Sequence, residues 1–292
     1  MNLWRSMLFL PGNNPGMLQN GGVFGADAVI LDLEDAVSPQ EKDAARDLVR
    51  NALYCVDYCS SKKVVRPNPL EYSGEQDYCA VVPAAPDVLL LPKVSTADEL
   101  KQAVEVIKKY ECPGRAPVHV IPLIETALAI ANVNGIAQAS ERVIGLAFGA
   151  EDYSASIGME RTREGNEIFF ARCATVNAAA AANVWALDTP FIDAQDEDGL
   201  FKDTLLAKSL GFKGKLAINP RQVDFIHKAL APTQRDILWA GRVLQAIEAA
   251  RQQGSGVIAL DGKMVDAPIA LRARRIIRMA EHLRLTVGEG YD

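Results

Sequence analysis

Acidic residues in this chain fall directly at the ends of short apolar runs. Asp32-Leu33-Glu34-Asp35 closes the run Ala28–Leu33, Glu125-Thr126 follows Val118–Ile124, and Gly149-Ala150-Glu151-Asp152 follows Val143–Phe148. Arg66-Pro67-Asn68, Pro92-Lys93 and Asn219-Pro220-Arg221 stand in the same kind of position. Carboxylates forced together repel and raise one another's pKa unless a cation neutralises them, and all-oxygen ligation selects a hard ion such as Mg2+. His119, His227 and His282 show no His-x-x-x-His or Cys/His ligand spacing, which disfavours zinc. Each of them reads as a satisfied structural or surface residue. The planar fork of Arg66 suits a substrate carboxylate or carbonyl oxygen, so an anionic substrate is expected, with Arg66, Asn68 and Lys93 as candidate binding residues. Any one of these charges alone reads equally well as a rim salt bridge, and only their joint occurrence at successive run ends favours a site. A rival chemistry uses Lys93 as an imine-forming nucleophile in a metal-free aldolase.

The elements that must position these residues alternate along the chain. Candidate strands are Trp4–Leu10, Ala28–Leu33, Lys63–Arg66, Val88–Leu91, Val118–Ile124, Val143–Phe148, Val184–Asp188 and Lys215–Ile218. Their near-continuous apolarity implies burial on both faces. The clearest helices are Pro39–Leu53, Thr96–Tyr110, Glu164–Asn183 and Asp196–Leu210, several opening on a Ser, Thr or Asp cap. Eight strand–helix units predict an α/β fold, a (β/α)8 TIM barrel over residues 1–230, with chemistry at the C-terminal ends of the strands. A further helix Thr233–Gln252, a Gly254-Ser255-Gly256 break, a segment Val257–Leu260, an Asp261-Gly262 turn and a helix from Pro268 predict a C-terminal helical extension, 231–292. Such an appendage either caps a barrel mouth, its own or a neighbouring chain's, or merely adds packing.

Bulk properties narrow the field. The 292 residues are 49% apolar and 23% charged, an ordinary globular balance, with no apolar run long enough to cross a bilayer. The opening MNLWRSMLFLPGNN lacks a secretory cleavage site, which together with the missing span predicts a cytoplasmic protein away from membranes. A net charge of −6 without a basic block argues against nucleic acid. The odd set Cys55, Cys59, Cys79, Cys112 and Cys173 suits reduced thiols used in packing. Gly21-Gly22-x-x-Gly25 precedes a strand instead of following one, so it is no dinucleotide fingerprint. Gly211–Lys215 lacks the spacing of a phosphate loop, and no Gly-x-Ser-x-Gly elbow occurs.

Several ordered motifs carry a resemblance over nearly the whole chain: RSMLFLPG at 5–12, DLEDAV with Lys42 and Arg46, Arg66 with Asn68, LPK at 91–93, IET at 124–126, GAEDY at 149–153, INPRQ at 218–222 and GKMVDAP at 262–268. Together they resemble the citrate lyase β-subunit family, including the citramalyl-CoA and malyl-CoA lyases. The resemblance implies a Mg2+-dependent carbon–carbon lyase that splits a 3-hydroxy acid thioester, on coenzyme A or an acyl carrier protein, into an acetyl thioester and a 2-oxo acid. It implies Glu125 and Asp152 as metal ligands and Arg66 as a contact of the oxo acid. Asp266 is implied as the acid/base group supplied to a neighbouring subunit, in a homotrimer or a multiple of it. Glu34 and Asp35 are candidates to hold metal-bound water. The same resemblance admits citrate lyase α and γ subunits as partners of a chain that works only within a complex. One departure is local: Pro67 stands where the family commonly has Val, which restricts the backbone at Arg66 and the shape of the third helix.

Overall fold

Runs of Val, Ile and Leu bounded by Gly, Pro and acids become eight parallel strands in the computed structural model, which describes residues 3–252, 259–260 and 263–285. The strands are β1 (Ser6–Pro11), β2 (Ala28–Asp32), β3 (Lys62–Arg66), β4 (Val88–Leu91), β5 (His119–Ile124), β6 (Gly145–Phe148), β7 (Trp185–Asp188) and β8 (Gly214–Ala217). They form a closed barrel in sequence order, β8 returning to β1 through Ser6↔Lys215 and Leu8↔Ala217. The expected (β/α)8 barrel is therefore present. The bounds of β4 match the sequence expectation, and those of the other strands differ from it by one or two residues at one end or both.

Alternate strand residues face one another inside the barrel: Met7, Ile30, Val64, Leu90, Leu123, Ala147, Leu187 and Leu216 belong to one buried cluster that draws on every strand. The opposite faces are buried too, as with Leu8, Leu31, Val65 and Leu89, where the helices cover them. These helices are α1 (Pro15–Asn20), α2 (Lys42–Cys55), α3 (Glu75–Val81), α4 (Ala97–Tyr110), α5 (Ala127–Ala131), α6 (Val133–Ala137), α7 (Ala150–Ser156), α8 (Phe169–Ala181), α9 (Glu197–Leu210) and α10 (Gln222–Leu230). Thr96 closes a capping box with Glu99 at the start of α4, and Asp196 caps α9.

Three expectations are corrected. The helix expected from Glu164 starts at Phe169, because Gly165 takes a left-handed φ of +67° and Asn166–Ile168 form a 3-10 turn. The helix expected from Pro39 starts at Lys42 after a similar turn. The cysteines are not core residues: Cys55, Cys59 and Cys79 are exposed, and Cys112 and Cys173 partly so. After Pro67, a π turn at Leu70–Gly74 precedes α3.

The described residues divide into two compact units, one running from Leu3 to Ala229 and the other beginning at Leu230. In the second, α11 (Gln234–Gln252) packs on α12 (Ala267–His282) around Ala240, Val243, Val265 and Ala273, beside the antiparallel pair β9 (Ala259–Leu260) and β10 (Lys263–Met264). The guanidinium of Arg272 lies 4.9 Å from the centre of the Trp239 ring. The Gly254-Ser255-Gly256 break and the Asp261-Gly262 turn lie outside the described residues. No helix among the described residues is long and apolar enough to cross a membrane.

Candidate active site

Strand register sets the first feature of the barrel mouth. Pro11, Asp32 and Arg66 are neighbours across β1, β2 and β3, which places Asp32 beside the Arg66 side chain. Both Asp32 oxygens accept from the guanidinium, from Nε at 2.7 Å and Nη2 at 2.6 Å. They also accept the backbone N–H groups of Glu34 and Ala36. Asp32 thus fixes the arginine and the turn that carries Glu34 and Asp35, a role the sequence reading did not assign to it. The guanidinium stacks 4.8 Å from the centre of the Phe9 ring. Burial works against its charge, but Asp32, Glu34 and Asp35 outweigh that and hold it above its ordinary range.

The third nitrogen, Nη1, points to Glu34 Oε2 at 2.8 Å and to Asp35 Oδ2 at 3.3 Å. Glu34 Oε2 is buried and lacks a hydrogen-bond partner despite that ion-pair distance. Burial pushes the Glu34 carboxyl up to about 7, with Arg66 pulling it down and Asp35 and Glu125 adding to the rise. Lys42 donates its ammonium to the carbonyls of Leu33 and Glu34 at 2.7 and 2.6 Å, so the DLEDAV segment is tied down from α2 as well.

Across the mouth, Glu125 is 4% exposed at the end of β5, and its burial raises its carboxyl against the opposing pull of Lys93. Gly149 makes room for it. A Cβ there would stand 2.8 Å from Glu125 Cβ and 3.0 Å from its Oε2. Asp152 sits in the first turn of α7. Lys93 joins the two: its backbone N–H donates to Glu125 Oε1 at 2.7 Å, and its ammonium lies 3.7 Å from that oxygen while also contacting Asp152 Oδ2. The Lys93 backbone is left-handed, φ +56°.

Two of the other candidates make local hydrogen bonds. The Asn68 side-chain nitrogen donates to the Leu33 carbonyl at 3.0 Å and to Asp77 Oδ2 at 2.7 Å, so that nitrogen braces the loop. Arg46 holds the other oxygen of Asp77 at 2.7 Å. Asp266 belongs to the second unit, where its carboxylate caps α12 by accepting from Ile269 N. Of the histidines, His227 is engaged by Ser6 at 2.7 Å and His119 is exposed.

Two cavities open at the barrel mouth. The inner, about 390 Å3, is floored by Phe9, Leu123 and Leu216 and walled by Arg66, Glu125 and Asp152. The outer, about 760 Å3, lies beside Lys42, Tyr72, Tyr78 and Lys93, and Asp35 borders both. Among the described residues no trio of His, Cys, Asp and Glu encloses an ion. Glu125 and Asp152 nevertheless converge on one cationic point, the Lys93 ammonium. Two carboxylates with further positions left to water or substrate oxygens fit the octahedral preference of Mg2+.

Residues 5–220 match the HpcH/HpaI aldolase/citrate lyase family. The chain belongs to that family. Its relatives there include the citrate lyase subunit beta of Leuconostoc mesenteroides subsp. cremoris, 46% identical over 99% of this chain and 97% of that protein. The mitochondrial citramalyl-CoA lyase of Rattus norvegicus is 30% identical over 96% of this chain and 87% of its own. Among solved structures, the Mycobacterium tuberculosis protein CitE in complex with magnesium, acetoacetate and coenzyme A superposes with a TM-score of 0.79 at 30% identity, covering 96% of this chain and 98% of that one. The chain is an enzyme of the family and, as the names of these relatives indicate, a carbon–carbon lyase.

Proposed function

We propose that this chain is a Mg2+-dependent lyase that splits a 3-hydroxy acid thioester into an acetyl thioester and a 2-oxo acid. Citryl, citramalyl and malyl thioesters are the substrate class. The 46% identity to a citrate lyase subunit beta, against 30% to a citramalyl-CoA lyase, favours the citryl thioester. The observation that carries the reading is the convergence of Glu125 and Asp152 on a single cation beside the inner cavity that also holds Arg66.

Glu125 and Asp152 would hold the Mg2+, which supplies positive charge where the substrate hydroxyl loses its proton. Arg66 spends Nε and Nη2 on Asp32 and would offer Nη1 to the carboxylate of the departing oxo acid in exchange for its pairing with Glu34 and Asp35. Cleavage moves a proton from the hydroxyl oxygen to the carbon of the acetyl thioester, so one group must accept and one must donate. Glu34, whose carboxyl sits near neutrality, can accept or give a proton at working pH. Asp266, delivered by a neighbouring copy in a homo-oligomer such as a trimer, is the second such group.

The test is to incubate the purified chain with citryl, citramalyl and malyl thioesters, on coenzyme A and on a carrier protein, and to assay the oxo acid with and without Mg2+. Release of oxo acid that EDTA abolishes is the expected result. Cleavage that survives EDTA, with borohydride trapping an adduct on Lys93, would overturn it in favour of imine chemistry. Cleavage only of the carrier-protein thioester, and only with added α and γ subunits, would make the chain a dependent subunit.

A further inference from the structure

Lys93 is placed unlike the other lysines of the barrel mouth. Its ammonium stands between the two carboxylates assigned to the metal, in contact with Asp152 and 3.7 Å from Glu125. Nearby positive charge is otherwise committed: Arg66 is surrounded by Asp32, Glu34 and Asp35, and Lys42 is given to two carbonyl oxygens. Without Lys93, the buried Glu125 would face Asp152 with no counter-charge in ion-pair contact, only the more distant Arg66, a costly arrangement away from water.

From this we propose that Lys93 is an internal stand-in for the divalent ion, holding Glu125 and Asp152 together in the metal-free protein and leaving when the ion binds. The inference rests on the metal reading given above. Three features make such an exchange feasible. The Lys93 side chain is 38% exposed, so it has somewhere to go. It borders the outer cavity, whereas Glu125 and Asp152 wall the inner one. Finally, Glu125 is held separately by the Lys93 backbone N–H at 2.7 Å, an anchor that the left-handed φ of +56° aims and that survives when the ammonium swings out. The residue therefore has two separable tasks: its backbone positions a ligand, and its side chain competes with the metal.

The experiment measures Mn2+ binding by electron paramagnetic resonance, and melting temperature with and without Mn2+, on the full chain. Loss of the bound signal in Glu125→Gln assigns the ion to this site. Lys93→Met removes the ammonium and keeps the backbone donor. It is expected to bind Mn2+ roughly tenfold tighter or better, since one positive charge no longer has to be displaced at contact distance, and to melt lower than wild type when metal-free. Lys62→Met, which removes the same charge from a pair with Asp87 at the other end of β3, is expected to leave the affinity unchanged. Equal or weaker binding by Lys93→Met overturns the proposal. So does an equal gain in Lys62→Met, which would make the effect one of net charge. A wild-type chain that binds no Mn2+ overturns the metal reading itself, and this inference falls with it.

Discussion

Glu125 owes its place to a neighbour without a side chain. With Cβ atoms at 2.8 Å something must move, and the side-chain carboxylate is the softer partner. Gly149→Ala is therefore expected to weaken divalent-ion binding at least tenfold while costing only about 1–2 kcal/mol of stability, as read by Mn2+ titration and thermal melts. Glu34 makes a different prediction. Its carboxyl is raised from 4.5 to about 7, mainly by burial, so the folded chain holds that proton more tightly than the unfolded one. The associated stability is present in full below the lower value and is lost as pH rises through about 7. Glu34→Gln should flatten this slope, gaining about 2–3 kcal/mol on wild type between pH 4 and pH 8; parallel denaturation curves at both pH values would refute it. At this scale the charged residues of the mouth were legible, because they close apolar runs, but their pairings were not. Asp32 as the anchor of Arg66, the bracing by Asn68 and the bridge made by Lys93 all depend on which strand ends lie side by side.

Between β7, β8, α8 and α9 lies a charge cluster that no site motif announced. Arg172 pairs with Asp188 and Asp203, both at 2.8 Å, and the fully buried Lys215 pairs with the same two acids, both at 2.6 Å. Two positive and two negative groups balance, so removing one member strands the others. Asp188→Asn is expected to cost about 3–5 kcal/mol, visible as a large fall in the denaturation midpoint, whereas a loss under 1 kcal/mol would show that water reaches the cluster. The elements themselves were largely readable: near-continuous apolarity marked the strands, and Thr96 and Asp196 marked helix starts. What escaped was backbone detail. The left-handed Gly165 delays α8, and the π turn at Leu70–Gly74, in a stretch opened by Pro67 and Pro69, has no periodicity signature of its own.

For the molecule as a whole, the unit built on α11 and α12 raises the question of what a single copy can do alone. If Asp266 serves the site of a neighbouring copy, Asp266→Asn and Arg66→Ala chains, each inactive alone, should recover part of the activity when unfolded together and reassembled. By random mixing, about a quarter of the sites in such an oligomer would pair two intact halves. No recovery, with mixed oligomers shown by mass, would confine Asp266 to its own chain or to helix capping. A change of pattern after Ile218 was legible in the sequence, but whether the second unit serves another copy was not, since that depends on contacts between chains. The closing ladder has its own bearing on how the protein is made. The first strand, β1, finds its second neighbour only in β8, where Ser6 pairs with Lys215, so during synthesis it emerges early and waits with one edge bare until the chain has been made as far as β8. A message cut short before Gly214 would leave a curled sheet with two sticky margins, and its natural fate is to join other such fragments.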